Sequence, residues 1–229
     1  MIEIIDVSKR YQKTQALIKA SMVLEPGKVV GLLGPNGSGK TTLLRILTGE
    51  LRMNSGSVKI EGEELSHKSK EKISGLTRTD FMPESMTIKG AAKAYNTFFK
   101  DFDQEKFEGL LPELSLKPEM KLTSLSKGMR SKFALALAVS RRARLIVLDE
   151  PLEGVDPIAR EEILTLIAKG FSKDSTILVT SHLINELERL LDEVYFIRDG
   201  QIKAMGNVET IREERNLSLD ELYREVYRK

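Results

Sequence analysis

Cysteine is absent from the 229 residues, which removes disulfide scaffolds, thiolate metal sites and cysteine nucleophiles from consideration. Histidine occurs only as His67 and His182, too far apart to suggest a cluster, so a zinc centre built from imidazoles is not expected. No stretch approaches the ~20 apolar residues that span a bilayer; the longest run is Phe133 to Val139. The start, Met1-Ile2-Glu3-Ile4, has neither the basic residues nor the apolar core of a secretory leader, and a cytoplasmic location is expected. An excess of one charge is also missing. Lys and Arg number 36 against 34 Asp and Glu, whereas a dedicated nucleic-acid binder carries a strong basic surplus. No nucleic-acid partner is expected.

What is present suffices for a packed core: 41% of the residues are apolar and 31% charged, too apolar for a disordered chain. Ile2–Val7 and Ala16–Leu24 alternate like half-buried strands, and Lys28–Leu33 reads as a buried strand leading through a glycine-rich loop into a helix, Lys40–Thr48. A short strand follows at Gly56–Ile60. From Thr87 to Ser140 the pattern is helical, broken at Pro112 and Pro118. Then come strand Arg144–Asp149, helix Pro157–Lys169, strand Thr176–Thr180, helix Ile184–Leu191 and a hairpin of Val194–Arg198 with Gln201–Met205. This alternation predicts an α/β fold with a mostly parallel sheet and an N-terminal antiparallel part. The expected division is an α/β core over 1–78 and 143–210, a helical subdomain inserted at 79–142, and an amphipathic tail at 211–229.

The strongest chemical signal is Gly34-Pro35-Asn36-Gly37-Ser38-Gly39-Lys40-Thr41, followed by Thr42, a full G-x-x-x-x-G-K-[ST] match between a strand and a helix. Such glycines let backbone N–H groups turn toward phosphates. Lys40 can reach the β- and γ-phosphates, and Thr41 can ligate Mg²⁺ where the helix dipole favours anions. ATP with Mg²⁺ is the expected ligand of a P-loop NTPase core. A second element, Leu145–Glu150, is an apolar strand delivering two carboxylates at its end. Asp149 suits Mg²⁺ and Glu150 suits polarisation of the attacking water. Between the two, Ser126 in Leu125-Ser126-Lys127-Gly128-Met129 would cap the helix that follows.

These motifs, in this order, resemble the ATP-binding subunits of ABC transporters over roughly residues 1 to 206. The resemblance implies an ATP hydrolase that dimerises head to tail, as a homodimer or with a second ABC ATPase subunit, each ATP lying between one subunit's P-loop and the other's signature segment. It also implies an integral membrane permease subunit as partner, which would hold the protein at the inner face of the cell membrane. Residue by residue, it places Tyr11 on adenine, Ser126 and Gly128 on the partner's nucleotide, Asp156 at the partner subunit and His182 at the γ-phosphate beside Glu150. The lesser alternative for Tyr11 is an ordinary strand-end tyrosine, and Asp156-Pro157 is a sound helix start in its own right.

The pattern departs from the family in two places. Lys127 and Met129 replace a glycine and the glutamine of the usual signature, a form that resembles the ABC-2-type exporter branch. The glutamine expected after the first half of the core falls on Arg78, and Asp80 or Glu84 are the carboxylates near enough to substitute. A guanidinium cannot coordinate a cation. The basic residues Lys127, Arg130, Lys132, Arg141, Arg142 and Arg144 read as a solvated face. Leu219, Leu222, Tyr223 and Val226 form an apolar stripe that would pack on its own domain or support a dimer. A soluble ABC ATPase acting on nucleic acid or ribosomes is the alternative function, but neither a long coiled coil nor a second ATPase unit is present. The transported substrate would be selected by the membrane subunit.

Overall fold

The computed structural model describes residues 1–66, 68–76 and 82–227. In chain order the elements are β1 (Ile2–Tyr11), β2 (Thr14–Leu24), β3 (Lys28–Leu33), α1 (Lys40–Leu47), β4 (Ser55–Ile60), β5 (Glu63–Glu64), β6 (Ile73–Leu76), α2 (Ile88–Phe98), α3 (Gln104–Leu110), α4 (Lys127–Val139), β7 (Leu145–Asp149), α5 (Pro157–Gly170), β8 (Thr176–Ser181), α6 (Ile184–Leu187), β9 (Glu193–Arg198), β10 (Gln201–Asn207), α7 (Val208–Arg215) and α8 (Leu219–Tyr227). They form two sheets. One is antiparallel, in the order β2-β1-β4-β5; the other runs β10-β9-β3-β8-β7-β6, parallel except for the β9–β10 hairpin.

The central strands read as continuous apolar runs because both of their faces are covered. Side chains alternate across the sheet with period two. Val29 and Leu33 of β3, Ile146 and Leu148 of β7, and Ile177 and Val179 of β8 join the core shared with helices α2 to α5. Val30, Leu32, Leu145, Val147 and Leu178 face the second core, shared with α1 and the antiparallel sheet. In the parallel register Leu33 lies beside Ser181, and Asp149 beside Thr180. The C-terminal ends of β3, β8 and β7 thus share one edge, where open α/β sheets place their ligands.

Two expectations need correcting, the helix over 184–191 and the single solvated basic face, and two further features lay outside the pattern. Strand β6 has no alternating pattern, because Ser74 donates its hydroxyl to the Ala138 carbonyl at 3.0 Å and Gly75 lets Thr48 approach; a Cβ there would come within 2.5 Å of the Thr48 methyl. The helix expected over 184–191 stops at Leu187 and continues as a 3-10 turn. Two anchors end it. Glu188 turns inward to Arg212 at 2.9 Å, and Asp192 joins the sheet through the Val29 N–H, 2.7 Å from its carboxylate, and the Val29 carbonyl, 2.8 Å from its own N–H.

The tail is two helices rather than one segment, separated where Asn216 takes a left-handed conformation (φ 51°) that asparagine tolerates. Its stripe packs on its own domain: Leu219 and Leu222 are buried, and Tyr223 meets Phe196 edge-on with centroids 5.4 Å apart. Finally, the basic residues do not form one solvated face. Lys132 and Arg141 are buried. Lys132 pairs with Glu162 at 2.7 Å, while Arg141 lies over Phe99, pairs with Asp101 at 3.0 Å and donates to the Ile73 and Glu71 carbonyls. Helical spacing alone could not reveal partners 30 to 70 residues away.

Candidate functional site

The glycine-rich loop leaves β3 at Gly34 and enters α1 at Lys40. Gly37 (φ 80°) and Gly39 (φ 112°) take backbone conformations that side chains disfavour. The loop is also wedged tightly. A Cβ on Gly34 would sit 2.3 Å from the Ile197 carbonyl oxygen of β9, and one on Gly39 2.5 Å from the Ala16 carbonyl oxygen of β2. The Gly200 N–H of the β9–β10 turn bonds the Ser38 carbonyl at 3.0 Å. Glycine therefore serves two purposes here, an inward-turning backbone and close contact with the strands behind it.

Lys40, only 5% exposed, donates Nζ to the Gly34 carbonyl at 2.7 Å and to the Pro35 carbonyl at 3.2 Å. The same ammonium lies 3.2 Å from Glu150 Oε1. Although that pair is close, its angles do not make a hydrogen bond, and Oε1 is buried without a hydrogen-bond partner among the described residues. The other oxygen, Oε2, accepts from the His182 backbone N–H at 3.2 Å and faces His182 Nδ1 at 3.0 Å. Glu150 follows directly after β7 with φ 46°, a left-handed turn that swings its carboxylate back between Lys40 and His182. The structure thus brings Lys40, Glu150 and His182 together.

One residue of this cluster escaped the sequence reading. Thr180, fully buried in β8, donates Oγ1 to Asp149 Oδ1 at 2.8 Å and accepts from the Glu150 N–H at 3.0 Å. A single hydroxyl orients both acids. The available signal was a threonine directly after the apolar run Ile177–Val179, in the strand that pairs with the acid-bearing one.

Thr41 and Thr42 follow Lys40 in the first turn of α1, both partly exposed. Tyr11 ends β1 at the tip of the β1–β2 hairpin, 42% exposed, with Lys9 Nζ 5.5 Å from its ring centroid. At the start of α4, Ser126 is the N-cap, its Oγ accepting from the Met129 N–H at 3.2 Å, and its side chain is exposed. Gly128 packs beside Asp156 and Ala159 at the start of α5, and Lys127 lies directly against Gly154. Asp156 caps α5, accepting from the Ile158 and Ala159 N–H groups at 3.1 and 3.0 Å, and these donors, Ala159 first, hold its carboxyl below the ordinary aspartate range. No hydrogen bond or ion pair links Ser126, Gly128 or Asp156 to the P-loop among the described residues. Arg78, Asp80 and His67 lie outside the described residues. The Glu84 carboxylate is engaged elsewhere, with Arg130 of α4 at 3.1 Å.

The residues present fit a bound nucleoside triphosphate. Besides Glu150 Oε1, the Ser38 hydroxyl is buried with no partner among the described residues, and buried polar groups ordinarily find one. Ser38, Lys40 and the glycine backbone together form a cradle for phosphate oxygens. No cluster of three or more protein carboxylates and histidines able to cage a metal occurs among the described residues. That suits Mg²⁺, which is commonly held by one or two protein groups plus substrate phosphates and water.

The family profile described as ABC transporter matches residues 17–153. The lantibiotic transport ATP-binding protein SrtF of Streptococcus pyogenes is 31% identical over 204 residues, covering 88% of this chain and 89% of that protein. A solved ATP-binding subunit of an ABC transporter superposes with a TM-score of 0.85 at 26% identity, covering 99% of both chains. An ATP-binding cassette solved as a dimer in a post-hydrolysis state with ADP and Pi superposes with a TM-score of 0.78 at 21% identity, covering 91% of this chain and 99% of that one.

Proposed function

Because the chain belongs to the ABC transporter family, we propose that its nucleotide-binding, ATP-hydrolysing site powers an exporter in which two such ATPase subunits, identical or different, act beneath a separate permease. The observation that carries this reading is the Glu150 carboxylate held between Lys40 and His182 beside the Thr180-oriented Asp149. Lys40 and the loop from Gly34 to Gly39, with Thr42 beside them, take the phosphates. Thr41 and Asp149 hold Mg²⁺, which when bound neutralises charge on the phosphate oxygens. Glu150 accepts a proton from the attacking water, and His182 fixes that carboxylate while meeting the γ-phosphate. Tyr11 stacks on adenine.

Ser126 stands exposed at the start of α4, and the family's head-to-tail dimers support use of Ser126 and Gly128 by a partner subunit's nucleotide, with Asp156 at the same interface. The exporter assignment draws on the transport role in SrtF's name and on the Lys127/Met129 form of the signature. No helix among the described residues is long and apolar enough to cross a membrane; the permease would hold the subunit at the cytoplasmic face, against the insertion.

Sedimentation of the Glu150→Gln chain tests the assembly. With Mg·ATP it should run as a dimer, and without nucleotide as a monomer. A monomer that nevertheless binds ATP would contradict the shared site.

A further inference from the structure

A recess of about 450 Å³ lies at the opposite end of the sheet from the carboxylates, where Arg144 enters β7 and Ser175 enters β8. Its walls come from the inserted helices on one side, through Lys106 of α3 and Ser140 at the end of α4, and from the core on the other, through the Ser172–Ser175 loop after α5. The function proposed above uses none of these residues.

Its polar groups are unequally satisfied. Lys106 is half-buried and forms no ion pair among the described residues; burial pushes its amine pKa down, with Asp103 a weaker opposing influence. Ser140 is completely buried. Its N–H bonds the Ala136 carbonyl at 3.2 Å and its carbonyl accepts from the Asp103 N–H at 2.7 Å, but its hydroxyl has no partner among the described residues. Arg142, 78% exposed at the mouth, engages Asp103 through Nη2 at 3.1 Å, and its other guanidinium N–H groups have no partner among the described residues. The Ser175 hydroxyl makes only a long 3.4 Å contact with the Ser172 carbonyl. The half-buried Lys106 ammonium, which has Asp103 near it but no ion pair among the described residues, and the remaining guanidinium edge of Arg142 are both donors on the wall of the recess. What they lack is one multivalent acceptor.

We propose that this recess binds a small phosphomonoester, with its phosphate bonded by Lys106 and Arg142. A dianion with three acceptor oxygens matches that donor set better than a carboxylate, which offers two. The volume falls within the range of organic-ligand pockets and exceeds what a bare ion needs. The Asp174 carboxylate on the wall has no ion pair among the described residues and can accept from a ligand hydroxyl. A molecule held there would tie α3 and α4 to the core and so influence how the insertion sits on it.

The test uses the full chain with ADP saturating the P-loop, so that added phosphate reports on the second site. Inorganic phosphate and ribose 5-phosphate are titrated while backbone amide NMR signals are followed. Saturable shifts at Lys106, Ser140, Arg142 and Ser175 are expected, with ribose 5-phosphate binding the more tightly. Lys106→Gln should weaken binding at least about tenfold, and Lys106→Arg should retain it. Co-sedimentation with phosphatidylcholine vesicles containing phosphatidic acid separates the sources. Lys106-dependent sedimentation assigns the phosphate to a lipid headgroup, and its absence beside saturable ribose 5-phosphate binding assigns it to a soluble metabolite. Shifts confined to the P-loop, a linear response indicating an adventitious ion only, or equal affinity in Lys106→Gln would overturn the proposal.

Discussion

Replacing Glu150 by glutamine keeps the side-chain shape and removes one charge at the point where three groups converge. Lys40 and Glu150 are 5% and 15% exposed and 3.2 Å apart. At an effective dielectric of ~20 their attraction is about 5 kcal/mol before the opposing cost of desolvating both ions. In this arrangement Glu150 engages the cation that the γ-phosphate must claim, and its own charge repels that phosphate. The Gly34 and Pro35 carbonyls still hold Lys40 in the variant, so the loop should keep its shape. Two effects act in opposite directions on the reaction. ATP affinity should rise about tenfold, since loss of both obstacles is worth roughly 1.4 kcal/mol after solvent and desolvation discounts. Turnover should fall ~10²–10⁴-fold, the usual contribution of a positioned base. Equilibrium titration with ATP and steady-state phosphate release measure the two separately. Weaker ATP binding, or a variant that hydrolyses ATP at the original rate, would refute the pairing argument.

Thr180→Val preserves shape but leaves the Asp149 carboxylate and the Glu150 N–H without their shared partner. It should cost about 1–3 kcal/mol, seen as a lower melting temperature, together with a lower kcat. Gly34→Ala would place a Cβ 2.3 Å from the Ile197 carbonyl oxygen, so the loop must shift and ATP binding should be lost in an equilibrium titration even if circular dichroism is unchanged. The Asp156 cap has a depressed carboxyl pKa. Its contribution is present above the ordinary aspartate value of about 3.8 and disappears as pH falls through the lower folded value. Asp156→Ala should accordingly melt below the parent protein at neutral pH, with the gap closing in strong acid.

The order of strands and helices could be read from sequence because β3, β7 and β8 each carry a central apolar run and are followed by a loop with its own chemical signature. Lys40 and Glu150 were legible through their motifs, the glycine-rich loop after β3 and the acid pair ending β7, and His182 through the family resemblance, while the parallel register brings these strand ends to one edge. What could not be read depends on contacts distant in sequence. Thr180 gains meaning only when β8 is seen to pair with β7. Lys132 and Arg141 resemble surface residues until Glu162 and Asp101 are placed beside them. Strand β6 lacks periodicity because its serine and glycine answer to α4 and α1. The break at Asn216 rests on a left-handed residue that the amphipathic stripe conceals.

The sharing of each nucleotide between two subunits is the central claim, and the absence of cysteine from the chain allows a direct test. Chains carrying Glu150→Gln with Asn36→Cys in the P-loop are mixed with chains carrying Glu150→Gln with Ser126→Cys at the start of α4, and an oxidant is added with and without Mg·ATP. The account predicts a disulfide-linked heterodimer that forms in the mixture with Mg·ATP and in neither population alone. A cross-link that ignores ATP, or dimers that form with ATP but never join the two cysteines, would contradict it.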